Sequence, residues 1–505
     1  MRADQLSKLP LLVHASRSFR IRCLIDAQAD IEKAGALTRE EYNGVLKVLL
    51  KEETRKALLL REMERVQGEV PMDKLLGSLE STGIPRKEIV SGLFQLAVEG
   101  FLSCRLDAPG SAVFSFVTSD SNKVEPVYVP VRSIDDGKAC SGCGTCQAAC
   151  PVDCIRVDDG KVAIDLDKCI RCGLCYTACP RAFLPKLALD WAIKNAVFTP
   201  EELKAGNIVE AWSARTTRDD IRPAAQDGGI TSSLLVQAFQ AGVIQAAIGA
   251  GRHADIPWKP EPVIMKSIPD VVKAAGTKYV NTPSLKLLRA VKGVPSIAVV
   301  GTPCMMQALR KAEIYPTGTI DLSNIKYRIG IFCMESFTHA GIKQLCESTF
   351  NVPLEQVKKM NIKEGQFFAN PVTGDPKSAS MKDVTKLARL SCHCCYDLTS
   401  EMADISVGSI GSPEGWNSVI IRTAAGKQLF DAAVQAGLIE KKPIEEVQPG
   451  LGLLKKLSFG KKRNYEKEEN KRDGEKSLHP WYFMKLPPPP PPKKKEGATA
   501  EPESS

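Results

Sequence analysis

The chain has 505 residues, of which 43% are hydrophobic and 25% charged, and carries a net charge of +9. At one domain per ~150 residues it is long enough for about three or four domains with a sizeable core, and no apolar run approaches the ~18 residues of a membrane span. The moderate charge lies largely in a C-terminal tail and makes no case for nucleic acid. An N-terminal apolar patch, residues 9–13, is followed at once by basic residues, so a cytoplasmic chain is expected, with peripheral membrane association left open. Seventeen cysteines in such a chain argue for metal ligation, because reducing compartments keep thiols free.

Residues 1–56 read as a helical N-terminal segment. Within it Thr38 is placed to cap a helix, with Glu41 completing a capping box. Residues 57–120 read as a winged-helix-like domain. Leu58, Leu60 and Met63 mark one apolar face, Leu75, Leu76 and Leu79 a second, and Ile89, Leu93 and Leu96 a third. Pro85 opens the third helix, Gly100 ends it, and two alternating strands follow around the turn from Ala108 to Ser111. That helix has no row of Arg, Lys, Asn or Gln to read bases, so partner docking or structural bulk is favoured over DNA binding.

Residues 133–184 carry the strongest motif. Cys140, Cys143, Cys146 and Cys150 form a C-x2-C-x2-C-x3-C-P run, and Cys169, Cys172, Cys175 and Cys179 form another. Two such runs specify a pair of 4Fe-4S clusters in a bacterial-type ferredoxin module. The fourth cysteine of each run reaches across, giving Cys140, Cys143, Cys146 and Cys179 for one cluster and Cys169, Cys172, Cys175 and Cys150 for the other. Zinc sites use pairs of C-x2-C separated by a spacer, a different pattern. Between the runs, IRV, a DDG turn and VAIDL predict a hairpin. Cys154 is needed by neither cluster and reads as packing.

Residues 205–445 alternate apolar strands with amphipathic helices, as a mixed α/β domain does. Glycine-rich turns fall where strands hand over to helices, at Asp227-Gly228-Gly229-Ile230-Thr231 and at Gly301-Thr302-Pro303-Cys304. Such turns cradle phosphates but are also ordinary connections. Residues 249–254 match G-x-G-x-x-A, but Asp255-Ile256-Pro257 cannot open the helix a Rossmann site requires. Residues 455–505, with a six-proline run at 487–492, read as a disordered, charged and proline-rich tail. The fold class expected is therefore multidomain α+β.

Cys304, Cys333, Cys392 and Cys395 each stand in a loop or at a strand end and make a four-thiolate site, with His393 and Cys394 as rival ligands and plain burial as the alternative. Together GTPCMMQALR, IGIFCMESF, the QDGG turn from Gln226, GTKY at Gly276–Tyr279 and C-x2-C-YDLTSEMADISVGSIGSPEGW resemble the family of coenzyme F420 hydrogenase/dehydrogenase beta subunits. The ferredoxin module makes the chain most similar to the electron-input component of F420H2 dehydrogenase.

The resemblance implies FAD, coenzyme F420 as substrate, and a third 4Fe-4S cluster on Cys304, Cys333, Cys392 and Cys395. It implies cofactor contacts from Gln226, Asp227, Gly228, Gly229, Thr231, Ser232, Lys278, Tyr279, Gly301 and Thr302, with no side-chain nucleophile, because the flavin carries the chemistry. It implies partner subunits of a hydrogenase, dehydrogenase or heterodisulfide-reductase-like complex. Two rival readings are the same scaffold using ferredoxin or a nicotinamide, and a non-enzymatic electron-transfer or regulatory protein with a winged-helix head.

Overall fold

A computed structural model describes residues 131–475 except 197, most of 68–116, scattered positions between 37 and 63, and Pro480, Tyr482, Met484 and Leu486. Most of the expected N-terminal helical segment and the proline run lie outside the described residues. The capping box is formed: Thr38 N–H donates to Glu41 Oε2 at 2.6 Å, and Glu41 N–H to Thr38 Oγ1 at 3.3 Å.

Strand β1 (Val70–Pro71), helices α1 (Met72–Leu79) and α2 (Arg86–Val98), and strands β2 (Leu102–Ala108) and β3 (Ser111–Phe116) follow in order. The strands form a small antiparallel sheet ordered β1-β3-β2. Leu75, Leu76 and Leu79 of α1 and Ile89, Leu93 and Leu96 of α2 are buried, as their spacing requires. Phe94 meets Phe114 edge to face at 5.3 Å, fixing α2 on the sheet.

The ferredoxin module shows its internal repeat in the backbone. Helices α3 (Thr145–Ala149) and α4 (Leu174–Ala178) each begin after a left-handed glycine, Gly144 at φ +87° and Gly173 at φ +72°. Each ends on an extended cysteine, Cys150 or Cys179, with φ near −75°. Two short helices thus release their fourth cysteine with the same local backbone geometry. Between them β4 (Ile155–Asp158) and β5 (Lys161–Ile164) pair antiparallel. Asp159 (φ +41°) and Gly160 (φ +74°) supply the two left-handed residues of a tight hairpin turn.

After α5 (Lys186–Lys194), eight strands build one mixed sheet: β6 (Glu210–Thr216), β7 (Ala246–Arg252), β8 (Pro260–Met265), β9 (Ile297–Gly301), β10 (Ile325–Ile331), β14 (Ile405–Gly408), β15 (Asn417–Ile421) and β16 (Ile439–Pro443). Their order is β16-β6-β15-β14-β10-β9-β7-β8. The run β14-β10-β9-β7 is parallel, and antiparallel strands flank it. Residues of the central strands divide between two cores by alternation. Ile297 and Val299 face the ferredoxin side, and Ala298 faces helices α6 (Ile230–Gln240) and α9 (Ala424–Gln435). Burial on both faces is why these strands read as unbroken apolar runs.

Two other helices flank the sheet, α7 (Ile268–Lys273) and α8 (Pro303–Ile314). Residues 284–289 form a 3-10 turn. It starts at Pro283 and gives the Leu285 N–H to Cys143 O at 3.1 Å. A separate meander, β11 (Val357–Lys363), β12 (Gln366–Pro371) and β13 (Lys377–Ser380), packs Met360, Phe367 and Ala369 under Phe337. The G-x-G-x-x-A stretch runs into the β7–β8 hairpin, with Arg252 opposite Pro260, so it opens no helix.

The expected disorder from residue 455 needs correction. Gly450–Gly474 is one helix, α10, and it is held by its lysines. Lys462 is fully buried and ion-paired with Glu401, and Lys461 is buried against Cys333 and Asp397. A lysine-rich helix stays ordered because these charges find partners far back in the chain. Tyr482 continues the contact, stacking edge to face on Tyr396 and Tyr465 at 4.8 Å each. Among the described residues no helix is long and apolar enough to cross a membrane.

Candidate iron-sulfur and cofactor site

The ferredoxin thiols gather in the crossed arrangement. Cys140, Cys143, Cys146 and Cys179 neighbour one another closely enough for each thiolate charge to oppose the next. Cys150 lies instead with Cys169, Cys172 and Cys175. Those last four line one cavity, together with Pro151, Ile155 and Gly173. The donor set fits a cubane. Among the described residues no group of three His, Cys, Asp or Glu side chains is drawn together tightly enough to hold a metal ion.

Burial pushes the Cys140 and Cys175 thiols up to about 12. Iron binding must therefore expel their protons. Cys150 is the exception, brought down to about 7 chiefly by the Cys154 thiol beside it. The two sulfurs are 3.4 Å apart, and the Cys154 N–H donates to Cys150 Sγ at 3.3 Å. Cys154, read as packing, thus lines the cavity as a fifth thiol; motif spacing gives no signal for it.

The third set is assembled from three loops. Cys304 opens α8 just past β9, Cys333 lies two residues beyond β10, and Cys392 and Cys395 bracket a turn before β14. Cys333 has Cys392, Cys304 and Cys395 as its thiol neighbours. Burial pushes Cys304 up to about 11. For Cys395, Lys461 and Arg181 overcome burial and hold the thiol below its usual range. Ser336 N–H points at Cys392 Sγ at 3.3 Å. The rival ligands stand aside. His393 is exposed, and Cys394 turns toward Arg472 and Arg181, its carbonyl accepting from Arg181 Nη1 at 2.6 Å.

The module is fastened to this domain beside its cysteines. Arg389 Nη2 donates to Cys140 O at 2.9 Å and Gly160 O at 3.1 Å, and Asn281 Nδ2 to Ser141 O at 2.7 Å. Lys311, fully buried on α8, donates to Cys179 O at 2.5 Å. Cys304 and Cys143 are close enough for their charges to interact, as are Cys146 and Cys175.

The turn residues divide into two groups. Asp227 is hydrogen-bonded to Ser409, the residue after β14, and its charge faces Tyr279. Gln226 Nε2 donates to Met360 O at 3.0 Å, and its own carbonyl accepts from Lys359 at 3.0 Å. Gly228 is required by packing: a Cβ there would lie 2.6 Å from Ala214 O and 2.7 Å from Asn417 N. Gly229, at φ +71°, caps α6, with Thr231 half-buried and Ser232 buried in its first turn. Gly276, at φ +85°, approaches Ala224 O and Arg252, so the QDGG and GTKY segments meet.

Lys278 donates to the carbonyls of Ala274, Ala275 and Gly276, just past α7. Gly301 and Thr302 lie beside the third cysteine set, with Thr302 Oγ1 3.1 Å from Cys304 Sγ. Arg252, Arg181 and Lys461 were not read from sequence; the contacts that give them roles are distant in the chain. Both the third cysteine set and the Asp227–Ser409 contact lie off the carboxyl ends of the parallel strands, where open α/β sheets bind ligands.

Family models match three stretches: a 4Fe-4S dicluster domain over residues 132–180, the N-terminal part of the coenzyme F420 hydrogenase/dehydrogenase beta subunit over 211–289, and its C-terminal part over 294–447. The chain is 39% identical to the beta subunit of coenzyme F420 hydrogenase of Methanosarcina barkeri, over 54% of this chain and 96% of the relative. It is 34% identical to one component of the F420H2 dehydrogenase of Methanosarcina mazei, over 63% of this chain and 88% of that one. A coenzyme F420-dependent sulfite reductase of Methanocaldococcus jannaschii is 30% identical over 67% of this chain and 52% of its own length. In the solved F420-reducing [NiFe] hydrogenase complex of Methanosarcina barkeri, one chain superposes with a TM-score of 0.52 at 39% identity, covering 54% of this chain and 94% of that chain.

Proposed function

The chain belongs to the family of coenzyme F420 hydrogenase/dehydrogenase beta subunits, and on that premise we propose that it is the F420-reacting, FAD-containing electron-transfer subunit of a larger redox complex. The observation that carries the proposal is the shared edge of the sheet. The QDGG–GTKY junction and the third cysteine set sit at the same ends of the same parallel strands. A flavin bound there would accept two electrons as hydride from the deazaflavin and release them one at a time to iron-sulfur clusters.

The chain's own part is positioning. The first turn of α6, with Thr231 and Ser232, offers N–H and hydroxyl groups to a phosphate. Asp227, fixed by Ser409, and Tyr279 line the same junction, and Arg252 supplies positive charge beside Gly276. Gly301 and Thr302 serve the iron side in this reading, and Lys278 serves α7.

Three 4Fe-4S clusters then make an ordered wire. Neighbouring thiols support the order: the Cys304, Cys333, Cys392, Cys395 cluster first, the Cys179-completed cluster next through Cys304 and Cys143, and the Cys150-completed cluster last through Cys146 and Cys175. Cys169 and Ile170, half-buried, and Arg171, exposed, give that last cluster an open edge for a partner subunit in this reading. Helices α1 and α2 and the β2–β3 hairpin fit a winged-helix head used for docking.

Anaerobically purified protein should carry about twelve irons and one FAD, and F420H2 should bleach its visible absorbance whereas NADH should not. Reduction by NADH alone would refute the substrate. Iron without flavin would refute the enzyme reading in favour of a pure electron carrier. Cys304→Ala should remove about four irons and leave the ferredoxin clusters in place.

A further inference from the structure

Two buried cations close on the third cysteine set, one from each flank. Lys461, on α10, is 7% exposed, and its Nζ donates to Cys333 O at 2.7 Å and Asp397 O at 2.9 Å. Arg181, two residues beyond Cys179, is 2% exposed and donates to Cys394 O at 2.6 Å. It is also hydrogen-bonded to the Tyr482 hydroxyl. Lys461 faces Cys395, Cys333 and Cys392, and Arg181 faces Cys395 and Cys304. Every thiol of the set therefore has one of these charges beside it. Both residues lie outside the two stretches matched by the beta-subunit models.

A cubane on four thiolates becomes more negative by one charge when it is reduced. A positive charge fixed beside it in a low-dielectric interior favours that reduced form. We propose that Lys461 and Arg181 set the reduction potential of the third cluster, raising it so that this cluster is the first acceptor of electrons leaving the cofactor. The proposal rests on the assignment of a 4Fe-4S cluster to Cys304, Cys333, Cys392 and Cys395. The step itself is one electron added to the cluster, with no bond made or broken in the protein. That electron comes from the reduced cofactor in the reaction, and from dithionite in a titration.

The two cations come from different parts of the fold. Arg181 ties the cluster's environment to the ferredoxin module, and Lys461 ties it to the end of the chain. Together they bring two buried positive charges to the start of the wire.

The test is a dithionite titration of the full-length holoprotein, followed by electron paramagnetic resonance, with iron counted in each sample. Lys461→Gln keeps a donor for the two carbonyls and removes the charge, and Lys461→Arg keeps the charge. In the glutamine variant one of the three midpoints should become more negative by about 59 mV, a tenfold change in the reduced-to-oxidised ratio for one electron. The arginine variant should restore it. Arg181→Gln should lower the same midpoint, which serves as the second measurement if the first variant loses iron. Glutamine variants with full iron content and all three midpoints unmoved would overturn the inference while leaving the cluster assignment intact. A parent protein with only about eight irons would overturn the assignment and the inference with it.

Discussion

Lys462→Met tests whether α10 is an integral part of the iron domain. Lys462 and Glu401 are both 0% exposed and ion-paired, and removing the lysine leaves Glu401 with Lys186 at 3.7 Å as its nearest cation. Stranding one member of a buried pair costs about 3–5 kcal/mol. With a urea dependence of about 3 kcal/mol per molar for a domain of this size, the midpoint should fall by about 1–2 M. The measurement is anaerobic urea unfolding, followed by far-ultraviolet circular dichroism and by loss of iron-sulfur absorbance.

In the parent, Lys462 holds the Glu401 carboxyl below its usual range despite burial. A folded value below the unfolded one adds stability at neutral pH that is lost as pH falls. Without the lysine, burial is opposed only by Lys186 and Arg422, so the carboxyl takes up its proton at a higher pH than in the parent and the defect should shrink as pH is lowered. Pairing the change with Glu401→Gln removes the stranded charge and should recover most of the loss. A single variant within about 0.3 M of the parent, or a double variant no better than the single, would refute the role given to the pair.

Gly144→Ala should cost the cluster held by Cys140, Cys143, Cys146 and Cys179, about four irons, because a Cβ there at φ +87° meets Pro283 O at 2.7 Å and Lys286 N at 2.8 Å; unchanged iron would contradict the docked geometry. Gly77→Ala, in α1 with nothing within 4 Å of the new carbon, should raise stability by about 0.5–1 kcal/mol, measured as a higher urea midpoint for the N-terminal transition. Lys278 gives a pH dependence. Burial, then Arg252, brings its ammonium down to about 7, although three carbonyl acceptors work in the opposite direction. The unfolded lysine keeps its proton to higher pH than the folded one, so stability should rise from pH 7 toward 9. Lys278→Met should flatten that rise, and equal slopes in parent and variant would exclude Lys278 as its source.

The parallel strands β7, β9, β10 and β14 were legible because each is buried on both faces and so is continuously apolar. Strands β6, β8 and β16 give no such signal. They are flanking antiparallel strands with polar positions, and β8 carries Pro260 and Pro262, which only an edge strand tolerates. The eight ferredoxin cysteines were legible because their motif is local. Cys154, Arg181 and Lys461 were not, because what they touch is set by folding: Cys154 shares a cavity with Cys169, and the two cations reach loops far from them in the chain. The same reason hid α10. Its buried face includes Ser458, Lys461, Lys462 and Tyr465, residues whose types signal solvent until Glu401 and the Cys333 carbonyl are brought beside them.

The end of the chain also sets an order of assembly. Cys304, Cys333, Cys392 and Cys395 all leave the ribosome before Lys461, which bonds the Cys333 carbonyl, and Tyr482, which bonds the Cys394 carbonyl. If the four thiols take up iron as proposed, the sheet around them has the strands it needs before α10 and Tyr482 are made. Once α10 and Tyr482 have settled, they pin two of the loops that carry the set. A truncation before residue 461 would then leave a chain that accepts iron but does not retain it, giving a defect in metal retention rather than in metal loading.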